Sequence, residues 1–432
     1  MGADHDGPPA AAPRRVRVIL AAALAPLFAA AVIAAVALWP DRTLDDDAQP
    51  VPRYHATVTR IVEEPCPPTP ETADVPERLI GPCGTVSVQV HDGPDANTTV
   101  ETPTPAGPGA PRVNVGDEVI VVPLTDFEDP TSTTYNIADQ QRGSPLVWIV
   151  ALFAAAIVAF GRWRGLAALG GLAVSFAVLL FFVLPAVRDG ASPLAVAVTG
   201  AALIMFVVLY LTHGVTAQTS VAVLGTLASL ILTGILGTVA IGATALTGFG
   251  SEEATTLSVI NGNVDLHGVL LAGIIIGSLG VLDDVTVTQA ATVGELFRAN
   301  PRLGRLQLYR AATRVGRAHI ASTVNTIVLA YAGASLPVLL LVISADREVI
   351  EVLTSEFIAQ EIVRSAVATL GLIAAVPITT ALAAIVVTAG RRPRSRRPPV
   401  PRPAPDDAVA ALARRPADRD VAAEPAAWEP ER

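Results

Sequence analysis

Two hydropathy patterns divide this chain into two kinds of structure. Long uncharged apolar runs of about 20 residues, the length that crosses a bilayer, recur through most of the sequence. Between the first two runs, apolar and polar residues alternate with a period of two, which is typical of β-strands. The predicted fold class is an all-α polytopic membrane protein of about eight transmembrane helices, with a small β-rich extracytoplasmic domain between helices 1 and 2.

Eight apolar runs are candidate spans. They cover residues 16–39, 146–160, 166–187, 194–211, 220–247, 266–285, 320–343 and 363–388. A basic start and an apolar core also occur in cleaved signal peptides, but the first run is longer than a signal core and ends in a poor cleavage site. We therefore expect an uncleaved anchor.

The basic residues, all of them arginines, orient these spans. Arg14, Arg15 and Arg17 precede the first span, a cluster of six arginines lies at 298–317, and the tail begins with arginines at 391. The loops on the other side are acidic or nearly neutral. By the positive-inside rule, an even number of spans with both termini in the cytoplasm fits every loop.

The absence of lysine in a chain rich in alanine, arginine and proline is typical of a GC-rich bacterial genome. The predicted organisation therefore has five parts in a bacterial plasma membrane. They are a cytoplasmic N-terminus (1–15), helix 1 (16–39), an extracytoplasmic β-rich domain (41–144) with strands near 54–62, 85–91 and 113–122, a seven-helix core (145–389) and a disordered cytoplasmic Arg/Pro-rich tail (390–432).

Composition further limits the classes of protein to which the chain can belong. Hydrophobic residues make up 51% and charged residues 16% of the chain, which excludes an ordinary soluble enzyme. The net charge of −9 is concentrated in the predicted extracytoplasmic domain and gives no support for nucleic-acid binding. Both cysteines, Cys66 and Cys83, lie there too. A disulfide between them is the favoured interpretation, with free thiols or a metal site as alternatives.

Two adjacent carboxylates, Asp283 and Asp284, are the candidate ion or proton site, because neighbouring carboxylates can share one proton. On a helix, Asp284 shares a face with the candidate packing glycines and with Thr288; the glycines are Gly273, Gly277 and Gly280. Small residues commonly mark the packed face of a membrane helix. We therefore expect Asp284 to face protein or a wet cavity. The alternative is an acidic pair at a helix end, facing cytoplasmic water.

A polar stripe opens the seventh predicted span, near the same end of the membrane as the aspartates. The candidate path-lining residues are His319, Ser322, Thr323, Asn325 and Thr326, together with Thr288 on the sixth span. The alternative role for such residues is interhelical hydrogen bonding. The sequence has no HExxH motif and, lacking lysine, no nucleotide-binding phosphate loop. No metal and no cofactor are predicted.

Three segments carry a family resemblance: LTHGVTAQTSVAVLGTLASLILTG (211–234), GIIIGSLGVLDDVTVTQAATVGEL (273–296) and GRAHIASTVNTIVLAYAGASLPVLLL (316–341). They resemble the YibE/F-like family of bacterial multi-pass membrane proteins, with the similarity extending over about residues 50–390. The resemblance implies a polytopic protein with an extracytoplasmic β-rich segment. It supplies no catalytic residues.

The expected function is that of an ion-coupled secondary transporter or exporter, with protons or a cation and a small solute as partners within the lipid bilayer. The alternative is a non-transporting scaffold or regulator that binds an envelope partner through its extracytoplasmic domain. An intramembrane enzyme is a weaker third interpretation, and the chain is not expected to be an enzyme.

Overall fold

A computed structural model describes residues 13–40, 52–64, 83–105, 110–125, 133–260, 262, 264–344 and 348–389. The predicted C-terminal tail and most of the predicted N-terminal segment lie outside these residues. The helices are α1 (Arg14–Ala37), α2 (Gly143–Val178, continuing through the π-helix Leu179–Val183), α3 (Leu184–Arg188), α4 (Pro193–His213), α5 (Ala217–Ala243), α6 (Glu252–Ile260), α7 (Leu266–Ala299), α8 (Arg305–Ala334), α9 (Leu336–Ser344), α10 (Val349–Leu353) and α11 (Glu356–Ala389).

Six helices among the described residues are long and apolar enough to cross a membrane. They are Arg14–Ala37, Gly143–Arg188, Pro193–His213, Ala217–Ala243, Leu266–Ala299 and Glu356–Ala389. The predicted count of eight is not confirmed, and the difference arises at two places in the chain.

The first difference is that the second and third predicted spans lie in one helical run, Gly143–Arg188. Arg162 interrupts this run with φ 51° and ψ −126°. A Cβ on Gly165 would collide with the carbonyl oxygen of Ile157, although eight residues of straight helix would separate them by about 12 Å. The backbone therefore bends sharply at Arg162.

The second difference is that the predicted span 320–343 is divided. Its first part belongs to α8, which begins at Arg305, and its second part forms α9. Ser335, buried between the two, has φ −88° and ψ 2°. Since the first half of α8 carries several arginines, that helix is too polar to be counted among the six.

Helices α5, α7 and α11 pack against one another at the centre of the membrane core. Gly225 on α5 and Gly371 on α11 allow this close approach: a Cβ on either would lie under 3.0 Å from a threonine oxygen, of Thr379 and Thr233 respectively. Both threonines are fully buried. Small residues at such contacts let helix backbones approach closely.

One carboxylate ties two parts of this core together at a helix end. The Glu356 Oε1 atom, at the start of α11, accepts hydrogen bonds from Thr247 N (2.9 Å), Thr247 Oγ1 (2.6 Å) and Gly248 N (2.9 Å). The segment that follows α5 is thereby fixed to the beginning of α11.

The β-rich segment forms one antiparallel five-stranded sheet. Its strands are β1 (Tyr54–Glu64), β2 (Cys83–Val90), β3 (Thr99–Pro103), β4 (Glu118–Thr125) and β5 (Thr133–Gln140), in the order β3-β2-β1-β4-β5. The edge strands β3 and β5 also contact each other, so the sheet curls. Alternate small and apolar residues on β1, β2 and β4, most of them valines, are buried and form its core, as the period-two pattern predicts.

Candidate functional site

The adjacent carboxylates lie on α7 and face different surroundings, because successive helix residues point about 100° apart. Asp283 is half-buried, and its Oδ1 atom is out of solvent with no hydrogen-bond partner among the described residues. Asp284 points outward, with 74% of its side chain exposed. One carboxylate thus reaches into the bundle while its neighbour stays accessible.

His319 on α8 is the predicted path-lining residue that approaches the carboxylates. Its Nε2 atom lies 4.0 Å from Asp284 Oδ2. That separation is too long for a hydrogen bond, and the same Nε2 atom is out of solvent without a partner in the described part of the chain. A protonated His319 would form an ion pair with Asp284, whereas a neutral imidazole leaves both groups available to a proton or a ligand.

His213 is a third ionisable residue near the carboxylates, and it is not among the predicted path-lining residues. It is the last residue of α4, a helix that packs against α7, and its imidazole interacts electrostatically with Asp284 and Arg164. Asp284 therefore has a histidine on each of two neighbouring helices. Sequence spacing alone does not show this, since residues 213 and 284 come into electrostatic range of each other only through the packing of α4 on α7.

No hydrogen bond between side chains and no ion pair among the described residues joins the other predicted path-lining residues to Asp283, Asp284 or His319. Ser322, Asn325 and Thr326 are exposed on α8, and Thr288 is exposed on α7. Thr323 is half-buried and donates to the carbonyl oxygen of His319 within its own helix (3.0 Å). Their role as path-lining residues stays a prediction.

The glycine face of α7 differs from the expectation that it packs closely. Gly273, Gly277 and Gly280 are exposed. A Cβ on Gly273 or Gly280 would meet nothing within 4 Å, and one on Gly277 would contact only the Tyr331 hydroxyl of α8 at 3.4 Å. The packed side of α7 is instead the opposite one, so Asp284 lies on an open surface bordered by α8 and not inside the chain.

A buried group of interhelical hydrogen bonds lies near the carboxylates, on the packed side of α7. Gln289 is 3% exposed, and its Nε2 atom donates to Ala312 O on α8 (2.9 Å) and Thr380 Oγ1 on α11 (2.7 Å). One turn away, Thr286 and Thr226 on α5 share a hydrogen bond of 2.6 Å. These contacts join four helices and hold α7 in a defined orientation, which fixes the direction in which Asp283 and Asp284 point.

The cysteine and metal predictions concern the sheet. Cys83, the first residue of β2, is disulfide-bonded. Cys66 lies outside the described residues, so the pairing of the two stays a prediction. In the part of the chain that the structure describes, no group of three or more His, Cys, Asp or Glu side chains is arranged to hold a metal ion.

The six long apolar helices among the described residues indicate a helical membrane protein. The family model for "YibE/F-like protein" matches residues 149–389, more than half of the chain. The chain belongs to the YibE/F-like family, as the three segments predicted. The match begins within α2, so the sheet and α1 lie outside it, whereas the sequence resemblance was expected to start near residue 50. No curated protein and no solved structure matches the chain.

Proposed function

We propose that this protein is an ion-coupled secondary transporter or exporter of the bacterial plasma membrane, with Asp283 and Asp284 as its proton or cation site. The observation that carries the proposal is the Asp283 carboxylate, which lies in the middle of a long apolar helix and has a buried oxygen with no hydrogen-bond partner in the described part of the chain. An ionisable group without a partner is costly in a membrane helix, and such groups commonly mark ion paths.

The surroundings of the two carboxylates suit transient proton or cation binding. Asp284 is accessible and Asp283 is shielded, so an ion that reaches Asp284 from water has a second carboxylate next to it. Adjacent carboxylates favour a state in which one is ionised and the other neutral. His319 and His213 add two imidazoles on neighbouring helices, and ring nitrogens can donate or accept a proton.

The proposed topology has eight spans with both termini in the cytoplasm. The sharp bend at Arg162 supports a division of Gly143–Arg188 into two spans. The apolar second half of α8, together with α9, forms one membrane span that is interrupted at Ser335. Membrane proteins tolerate such interruptions where the backbone is buried or lines a cavity. Arginines beside α1, Arg162 and α8 support the orientation.

The test is ion flux in proteoliposomes that contain the purified full-length protein. Wild type, the double variant Asp283→Asn/Asp284→Asn and the control Glu295→Gln are compared under proton, sodium and potassium gradients. Glu295 is a suitable control because it lies on the same helix, is exposed and pairs with Arg298. We expect wild type and Glu295→Gln to carry flux and the double variant to lose it.

Absence of flux in all three proteins would contradict the proposal, as would equal flux in wild type and the double variant. The scaffold alternative makes the opposite prediction in cells: the double variant keeps function, and deletion of residues 50–140 abolishes it. Circular dichroism and size-exclusion profiles that match wild type are required before any loss of flux is assigned to the carboxylates.

A further inference from the structure

A lateral groove lies between α1 and the junction of α4 with α5, and its lining includes neither the carboxylates nor His213 or His319. Its volume is about 540 Å³, and its walls are mainly apolar. At one end the rings of Phe28 and Phe206 meet edge to face, with centroids 5.2 Å apart, and close the groove. At the other end lie Arg17 and Thr216. The small side chain of Ala25 keeps the groove open between these ends.

The groove has the depth of one membrane leaflet. Arg17 and Phe28 are 11 positions apart on α1, which corresponds to about 16 Å along a helix. Half of the hydrocarbon core of a bilayer is about 15 Å thick. A channel of this length that is open to the side and begins at a charged residue has the shape needed for an acyl chain whose headgroup lies at the membrane surface.

The polar groups that line the groove indicate which kind of lipid headgroup would bind at its mouth. The hydroxyls of Tyr210 and Ser220 are 3.1 Å apart and satisfy each other. Arg17 is exposed and has no acidic partner among the described residues. An arginine near the end of a membrane helix places its guanidinium at the interface, whichever way the helix is oriented. The unmatched charge at the mouth of the groove is therefore positive.

We propose that this groove is a binding site for one anionic phospholipid, whose acyl chain lies between α1 and α4 and whose phosphate contacts Arg17. The guanidinium and a phosphate can form paired, charge-assisted hydrogen bonds. A zwitterionic lipid would fill the groove with the same chain but would place a cationic group near Arg17. The site does not depend on the proposed transport function.

The test is native mass spectrometry of the full-length protein titrated with phosphatidylglycerol or with phosphatidylcholine of identical acyl chains. We expect one tightly retained phosphatidylglycerol and preferential loss of phosphatidylcholine. The variant Arg17→Gln should weaken phosphatidylglycerol binding about fivefold, since one basic residue near an anionic lipid surface contributes about that factor. Arg15→Gln is the matched control, because Arg15 is at the same helix end but does not line the groove.

Two further experiments distinguish binding of the lipid's acyl chain from binding of its headgroup. Ala25→Phe fills the groove with an aromatic ring and should reduce retention of both lipids while the circular dichroism spectrum stays that of wild type. Free glycerol phosphate should not compete. Equal retention of the two lipids, equal effects of Arg17→Gln and Arg15→Gln, unchanged retention in Ala25→Phe, or competition by glycerol phosphate alone would each overturn the proposal.

Discussion

The Gln289 side chain allows a quantitative test of how the membrane core is held together. Its Nε2 atom donates one hydrogen to Ala312 O and the other to Thr380 Oγ1, across two helix interfaces. We predict that Gln289→Leu destabilises the protein and that part of this loss is shared with Thr380→Val. Leucine is similar in size to glutamine, so the substitution removes the hydrogen bonds with little change in packing.

The expected magnitude follows from the two contacts. Interhelical hydrogen bonds in membrane proteins average about 0.6 kcal/mol and reach about 1.7 kcal/mol. Two bonds therefore give a loss of about 1 to 3 kcal/mol for Gln289→Leu. Thr380 Oγ1 also donates to Val376 O at 2.6 Å, so Thr380 keeps a partner when Gln289 is replaced. The coupling between the two positions should thus be about 0.6 kcal/mol, the value of one bond.

The measurement is a double-mutant cycle of unfolding free energies in mixed micelles, with helicity followed by circular dichroism. Thr292→Val is the control, since the Thr292 hydroxyl donates only within α7, to Thr288 O, and its loss should cost much less. Single effects that add to within about 0.3 kcal/mol would show that the two positions do not interact. That result, or a Gln289→Leu variant as stable as wild type, would refute the reasoning.

Three other predictions test separate features. Gly371→Ala should lower stability by about 1–3 kcal/mol, because the added methyl group collides with the Thr233 oxygen. Gly273→Ala, where the methyl group meets nothing, should be neutral or stabilising by up to about 1 kcal/mol. Thermal unfolding of both variants tests this difference. Glu356→Gln should cost about 1–3 kcal/mol by weakening its charge-assisted hydrogen bonds, measured in the same assay, and unchanged stability would contradict the proposed tie between α5 and α11. Burial and a hydrogen bond to a carboxylate raise the pKa of Tyr135 to about 12. The stability that neutral Tyr135 contributes to the sheet is therefore complete below about pH 10 and is lost as the pH rises toward 12. Ultraviolet titration of wild type and Tyr135→Phe will test this.

Hydropathy predicted the helices well because apolar length is set by the bilayer. It predicted their number less well. The break at Ser335 lies inside an apolar run, where composition gives no signal, and the arginines of α8 continue into the same helix as the apolar residues that follow them. Helix ends inside a membrane core depend on tertiary contacts that a hydropathy pattern does not contain.

The candidate site illustrates a second limit. Periodicity correctly placed Asp284 on the same face as Gly273 and Gly280, but it did not show which face of α7 is packed. Most of the first half of the helix, 268–282, has apolar or small residues on every side, so its pattern has no strong preferred direction. Glycine was interpreted as a packing residue on general grounds, whereas in this chain Gln289 and its partners mark the packed side. The electrostatic interaction of His213 with Asp284 likewise depends on how α4 and α7 pack.

The close packing of α5, α7 and α11 has a mechanical consequence. Helices that touch through glycine and threonine cannot slide without collision, so these three form a stiff frame. Helix α8 is attached less firmly, since its buried positions are limited to Leu308, Ala312, Gly316 and Ile327, and it ends at the break at Ser335. Any conformational change near Asp284 should therefore be a movement of α8. The carboxylates would stay in place on α7, and His319 would move toward or away from them.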